Sequence, residues 1–217
     1  VLDKGEQMRL AEVQGYSGDA GQLPVEQFMQ RYFRLTSRVS GAAQRFLDRT
    51  RESILWSKVM TPLVSHRFEH DILVGPQSIG LRRSAFGKLA AGLEEILRLC
   101  VLASLYDKPI DLDTIEAIRA APAQMPDGVS PQAADKFLAL LDNSARLPEL
   151  IRMLHEVGAL EKILPDFAHA RGLLQFNEYH KYTVDEHTFR AVEHATALAG
   201  GEGVLAQAYK GLKRKRI

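Results

Sequence analysis

The sequence predicts a mainly α protein, a multi-helix bundle that carries one small β-hairpin. Three observations predict it. Apolar residues recur at about 3.6-residue spacing along most of the chain. Prolines stand where first helical turns accept them, at Pro24, Pro131 and Pro148, and Gly158 and Gly200-Gly201 stand where helices stop. One stretch alone, residues 67–82, alternates instead.

The elements follow in order. Residues 5–15 read as a short helix, closed by the loop GYSGDAGQL. After Pro24, the apolar positions Phe28, Met29, Tyr32, Val39, Ala43, Phe46 and Leu47 form a nearly continuous stripe. That stripe predicts one long helix from Val25 to Ile54, or as far as Lys58. Its opposite face carries Gln30, Arg31, Arg38, Asp48 and Arg49, and so meets solvent. In RFEHDILVGPQSIGLR, Phe68, His70, Ile72 and Val74 alternate and Gly75-Pro76 marks a turn, which predicts the hairpin. A helix is expected from Ser84 to Tyr106, with Phe86, Leu89, Leu93, Ile96, Leu97 and Cys100 inward. DKPID breaks it, and Asp113 is placed as the cap of a short helix through Arg119. Ser130-Pro131 starts a helix to Leu141, and Pro148 opens one to Val157. ALEKILP adds a turn or two. Thr183-Val-Asp-Glu186 has the capping-box pattern, in which the Thr oxygen bonds the amide three residues on and the Glu reaches back. Its two acids also suit the helix dipole. The helix should run to Leu198, and a last one from Val204 to Leu212. Three segments result: helical residues 1–65, the hairpin with further helices at 66–179, and residues 180–217.

Composition narrows the function classes. The 217 residues are 46% hydrophobic and 25% charged, ordinary for a globular chain. The formal net charge of +1 gives no bias toward nucleic acid. The terminal KGLKRKRI is basic but lacks aromatic interleaving, so it reads as a solvated helix end. No nucleic-acid partner is expected. No run approaches the roughly 18 apolar residues of a membrane span, and charges interrupt the N-terminus too often for a signal peptide. The single cysteine, Cys100, rules out an intramolecular disulfide and fits a reducing cytoplasm. The chain starts without Met and stops in a basic helix, which reads as a piece of something longer.

Candidate chemistry concentrates in HKYTVDEHTFRAVEHA, residues 180–195. His187 and His194 lie seven residues apart, about 10 Å along a helix. Zinc holds its nitrogen ligands at about 2 Å, so one ion cannot bind both. The i, i+4 spacing of a chelating pair is absent. His180 precedes the cap and could fold back. His70-Asp71 is a His-Asp pair, but on a strand the two side chains would face apart. Asp111 and Asp113 have the spacing of carboxylates that hold Mg²⁺ with phosphates, without a Gly-rich loop before them. Nucleophile-elbow, Walker and dinucleotide motifs are missing.

The block EYHKYTVDEHTFRAVEHA resembles the entry to the HD domain of bacterial PII-protein uridylyltransferases, bifunctional uridylyltransferase/uridylyl-removing enzymes of nitrogen sensing. Upstream, IRMLHEVGALEKILPDFAHARGLLQ is similar to the family's Leu-His-x-x-Gly helix and Leu-Pro-x-Phe turn. RLAEVQGY, PVEQFMQRYFRLTSRV, FEHDILVG, FGKLAAGLEEILRLC and DLDTIEAIRAA follow in the family's order. The resemblance implies a parent that moves UMP from UTP onto a PII-type protein with Mg²⁺ or another divalent metal, and removes it at an HD hydrolase site. This sequence matches the helical region and the beginning of the HD domain. His187 corresponds to the family's first HD metal ligand; Glu186 and His180 are assigned capping and support. The transferase core's Gly-Ser with a downstream Asp-x-Asp, and the later His-Asp pair, are not in it. The expectation is an inactive interdomain helical region holding no metal by itself. Two alternatives stand beside it: a free-standing helical interaction module, and a metal hydrolase using His180, His187 and His194.

Overall fold

The computed structural model describes residues 3–19, 21–54, 66–68, 71–121, 125, 128–176 and 181–214, with backbone only at 51–54, 66–68 and 213–214. The fold is mainly α, as predicted. It divides into two compact units, Val1–Arg51 with Asp166–Thr188, and Glu52–Pro165 with Phe189–Ile217.

The first unit is built on two helices. Helix α1, Lys4–Val13, is capped by Asp3, whose carboxylate accepts the Glu6 N–H at 2.8 Å. Helix α2, Pro24–Ile54, starts at the predicted proline and runs 31 residues. Its entry is fixed by Glu26, whose side chain accepts the Leu23 N–H at 2.9 Å. Ala11, Val25 and Met29 form the centre of a small core, with Tyr16, Phe28, Phe33, Leu174 and Phe176 packed against it. The Tyr16 and Phe28 rings meet edge to face at 5.8 Å. A short helix, α8 (Phe167–Ala170), and the segment 171–176 also belong to this unit, which runs on to Thr188.

The second unit corrects the expected hairpin. Residues 66–81 form a three-stranded antiparallel sheet in the order β1 (His66–Phe68), β2 (Ile72–Val74), β3 (Ile79–Leu81). The Gly75-Pro76 turn is where it was predicted, closed by Gly75 N–H to Ser78 O at 2.8 Å, but it joins β2 to β3. A second turn, at Asp71, joins β1 to β2. Strands of three residues are too short for alternation to separate two strands from three. Gly80 also blanks the middle position of β3.

The helix expected from Ser84 to Tyr106 is broken. Arg83–Ala91 is a 3-10 helix, Gly92 is extended, and α3 follows at Leu93–Leu105. Nine residues do not separate a period of 3.0 from one of 3.6, and Gly92 supplies the break. Helix α4, Leu112–Ala120, is capped by Asp111, not Asp113: Asp111 Oδ1 accepts the Thr114 N–H at 2.8 Å. Helix α5, Pro131–Asp142, has the predicted Ser130 cap. Then come α6 (Leu147–Glu156) and α7 (Leu160–Ile163), with Gly158 between them at φ 79°, a conformation glycine adopts freely. Helix α3 packs on α5. Leu97, Leu99, Cys100, Ile118, Leu140 and Leu154 are fully buried here.

Helix α9, Val184–Ala197, contains the division between the units, at Thr188 and Phe189. A 3-10 turn, Leu198–Gly200, and α10, Val204–Arg214, follow it.

Candidate functional site

Helix α9 carries the candidate ligand. It begins at Val184, which puts Thr183 at the predicted cap position, with its carbonyl accepting the His187 N–H at 2.8 Å. His187 lies in the first turn and a half, exposed to solvent. His194 is exposed as well. His180 and His70 lie outside the described residues. Among the described residues no group of three or more His, Cys, Asp or Glu side chains is gathered as a metal ion requires. His187 therefore offers one ligating nitrogen, and the described donors do not complete a centre around it.

What holds the start of α9 is a contact the sequence reading missed. The sequence offers Asp185 only as a dipole partner. It is buried, and its Oδ2 accepts the Gly172 N–H at 2.9 Å. Its Oδ1 accepts the Glu186 N–H at 3.0 Å. The Val184 N–H bonds Leu173 O at 2.8 Å. Gly172 sits at φ 66°, and a Cβ there would lie 3.3 Å from Gln30 O, so the loop approaches α2 closely. Gln30 Nε2 donates to His169 O and Arg171 O, each at 3.1 Å, and Arg34 Nε donates to Arg171 O at 3.1 Å. The amide of Phe176 reaches Glu26 Oε1 at 2.8 Å. Polar side chains of α2 thus fix the loop, and the loop fixes the residues that precede His187.

In the second unit, Phe189 is buried against the His155 ring, 5.0 Å between centroids. Arg152 stacks its guanidinium on the same Phe189 ring at 5.2 Å and lies 3.7 Å from Glu193. The buried His155 has its Nδ1 2.7 Å from Oε1 of Glu161, which is partly buried. His155 and Glu161 belong to LHEVGALEKILPDF, quoted above for its resemblance alone. The histidine inside that apolar helix was the available signal.

Asp71, Asp111 and Asp113, the carboxylates of the other two candidate motifs, have structural work. Asp71 sits in a turn, so the strand argument against it does not apply, and its carboxylate pairs with Lys88. Asp113 pairs with Arg83 at 2.9 Å on the surface. Asp111 is mostly buried beside Thr114, and burial pushes its carboxyl above the usual aspartate range despite the Thr114 hydrogen bonds that pull it down.

The family model described as GlnD PII-uridylyltransferase matches residues 1–47. Of the relatives, a bifunctional uridylyltransferase/uridylyl-removing enzyme of Haemophilus influenzae (strain PittEE) is 30% identical over 190 residues, 86% of this chain and 21% of that protein. One from Caulobacter vibrioides (strain NA1000 / CB15N) is 30% identical over 206 residues, 90% of this chain and 22% of its own length. One from Ruegeria pomeroyi is 28% identical over 200 residues, with the same two shares. This chain is a relative of the bifunctional uridylyltransferase/uridylyl-removing enzymes. It spans about a fifth of the length of the curated relatives it matches. No solved structure matches it. The similarity to the uridylyltransferases runs through both units, so it takes in the loop that fixes α9 as well as the buried His155.

Proposed function

We propose that this chain is the helical middle and the opening of the HD domain of a longer uridylyltransferase/uridylyl-removing enzyme. That enzyme transfers UMP from UTP to a PII-type signal protein and removes it by hydrolysis, in the cytoplasm. Residues 1–65 follow the transferase core, 66–179 link, and 180–217 open the hydrolase domain. The observation that carries this reading is the similarity, at 30% identity, across 86% of this chain but 21% of the relative's length. In the complete enzyme His187 is one ligand of a divalent metal at the removing site, with the other donors supplied from outside these residues. The segment alone catalyses neither step and serves to set the two catalytic domains relative to each other. Its exposed His187 on a firmly seated helix suits a ligand that waits for partners.

The test is kinetic. In the polypeptide encoded by the complete gene, His187→Ala should lower uridylyl removal at least about 100-fold and leave UMP transfer from UTP within about two-fold, the pattern expected when one metal ligand is lost. Unchanged removal by that variant would overturn the ligand role. A complete polypeptide without UMP transfer would overturn the reading itself. Among the described residues no helix is long and apolar enough to cross a membrane.

A further inference from the structure

Helix α2 changes character along its length. Its apolar stripe begins buried, with Val25 and Met29 each 4% exposed. Beyond Phe33 the same stripe faces solvent: Leu35 is 51% exposed, Val39 71%, Phe46 72% and Leu47 48%. At 100° per residue, Leu35, Val39, Ala42 and Phe46 fall within an arc of about 60°. Arg31, Arg34, Arg38, Arg45 and Arg49 fall within an adjoining arc of about 60°. A row of apolar side chains is therefore flanked on one side by a row of guanidinium groups.

We propose that residues 35–49 of α2 are a docking face for a carboxylate-bearing apolar surface elsewhere in the longer polypeptide. The proposal rests on the reading of this chain as a segment of such a polypeptide. Charge selects the occupant. Between residues 31 and 51 the helix has six arginines and one acid, Asp48. No lysine occurs in α2. Arginine is the cation suited to planar, two-pronged binding of carboxylates at interfaces, where lysine is disfavoured. Arg34 also bonds the carbonyls of Arg171 and Ala168, but carbonyl oxygens leave its charge uncompensated. A second copy of this chain would bring two such arginine rows into one interface, with Asp48 and Glu52 the only acids of each helix beyond Glu26 to offset them. The relatives supply the room for another occupant: nearly four fifths of their length lies outside the region matched here. The family model also matches through residue 47, so most of this face belongs to the family's own domain.

The test uses cysteine labelling. Cys100 is buried, and burial pushes its thiol up to about 12, so it stays silent as background. Phe46→Cys is made in the 217-residue chain and in the complete polypeptide, and alkylation of the peptide containing position 46 is followed by mass spectrometry. The expected result is fast labelling in the short chain and labelling at least ten-fold slower in the complete polypeptide. Adding Arg38→Glu and Arg49→Glu to the complete polypeptide should restore the fast rate. Equal rates in the two proteins overturn the proposal. So does protection that rises with concentration of the short chain alongside a doubled mass in sedimentation, which would make the occupant a second copy. Protection that needs added anionic vesicles or oligonucleotide overturns it as well. UMP transfer is measured on the same complete polypeptide. Activity with fast labelling fails only this inference, and protection without activity fails the functional reading instead.

Discussion

Helices α2 and α3 carry the same kind of apolar periodicity and meet opposite fates. In α3, Ile96, Leu97, Leu99, Cys100 and Ala103 are all fully buried, because α5 packs across it. In α2 the stripe starts in a core and ends in solvent, at 71% for Val39 and 72% for Phe46. Periodicity states which face of a helix is apolar. It does not state what covers that face, since the covering element lies elsewhere in the chain or outside it.

The difference predicts unequal mutational costs within one protein. Leu97→Ala should destabilise the second unit by about 3 kcal/mol, the cost of lost burial plus a cavity. Phe46→Ala should change the stability of this chain by no more than about 0.5 kcal/mol. Urea unfolding of both variants checks the pair, and equal losses would erase the contrast between the helices.

A smaller effect sharpens the contrast from the polar side. The first unit relies on side chains that bind backbone. Asp185→Ala strips the acceptor from the buried Gly172 amide, and a loss of about 1–2 kcal/mol is expected. Asp185→Asn keeps an oxygen in place and should lose less. A loss equal to that of Ala would show that the charge, not the acceptor, holds the loop.

The smallest effect depends on pH. Burial raises the folded-state pKa of Asp111 above its unfolded value. The folded state thus binds this proton more readily, and the contribution of Asp111 to stability rises as pH falls through the folded pKa. At higher pH the buried charge costs stability. Asp111→Asn should flatten that part of the stability profile just above the ordinary aspartate value of about 3.9. An unchanged profile would remove Asp111 as its source.

The sequence carried the fold class, the start and length of α2, the Ser130 cap and the position of Thr183, because each depends on neighbours in the chain. It misplaced features that depend on distant partners. The choice between Asp111 and Asp113 as cap was settled by β3: a Cβ on Gly80 would lie 1.6 Å from Asp111 Oδ2 and 2.7 Å from Thr114 Oγ1. Thr114 Oγ1 in turn accepts the Leu81 N–H at 2.9 Å. The break at Gly92 and the third strand were hidden by short lengths. At the candidate site, the motif singled out His187, which the structure places exposed near the start of α9. Asp185 was not, since its partner Gly172 lies outside the helix and has no side chain to advertise the contact.

The meeting of β3 with the cap of α4 bears on the order of folding. Ile79 N–H bonds Pro109 O, and Asp111 N–H bonds Ile79 O, both at 2.9 Å. The chain between these partners contains all of α3. A helix of that length forms within about a microsecond, whereas closing a loop of some thirty residues carries an entropic cost that grows with its span. The order expected from these rates is helix first, with the outer side of β3 locking late onto a helical layer that already exists.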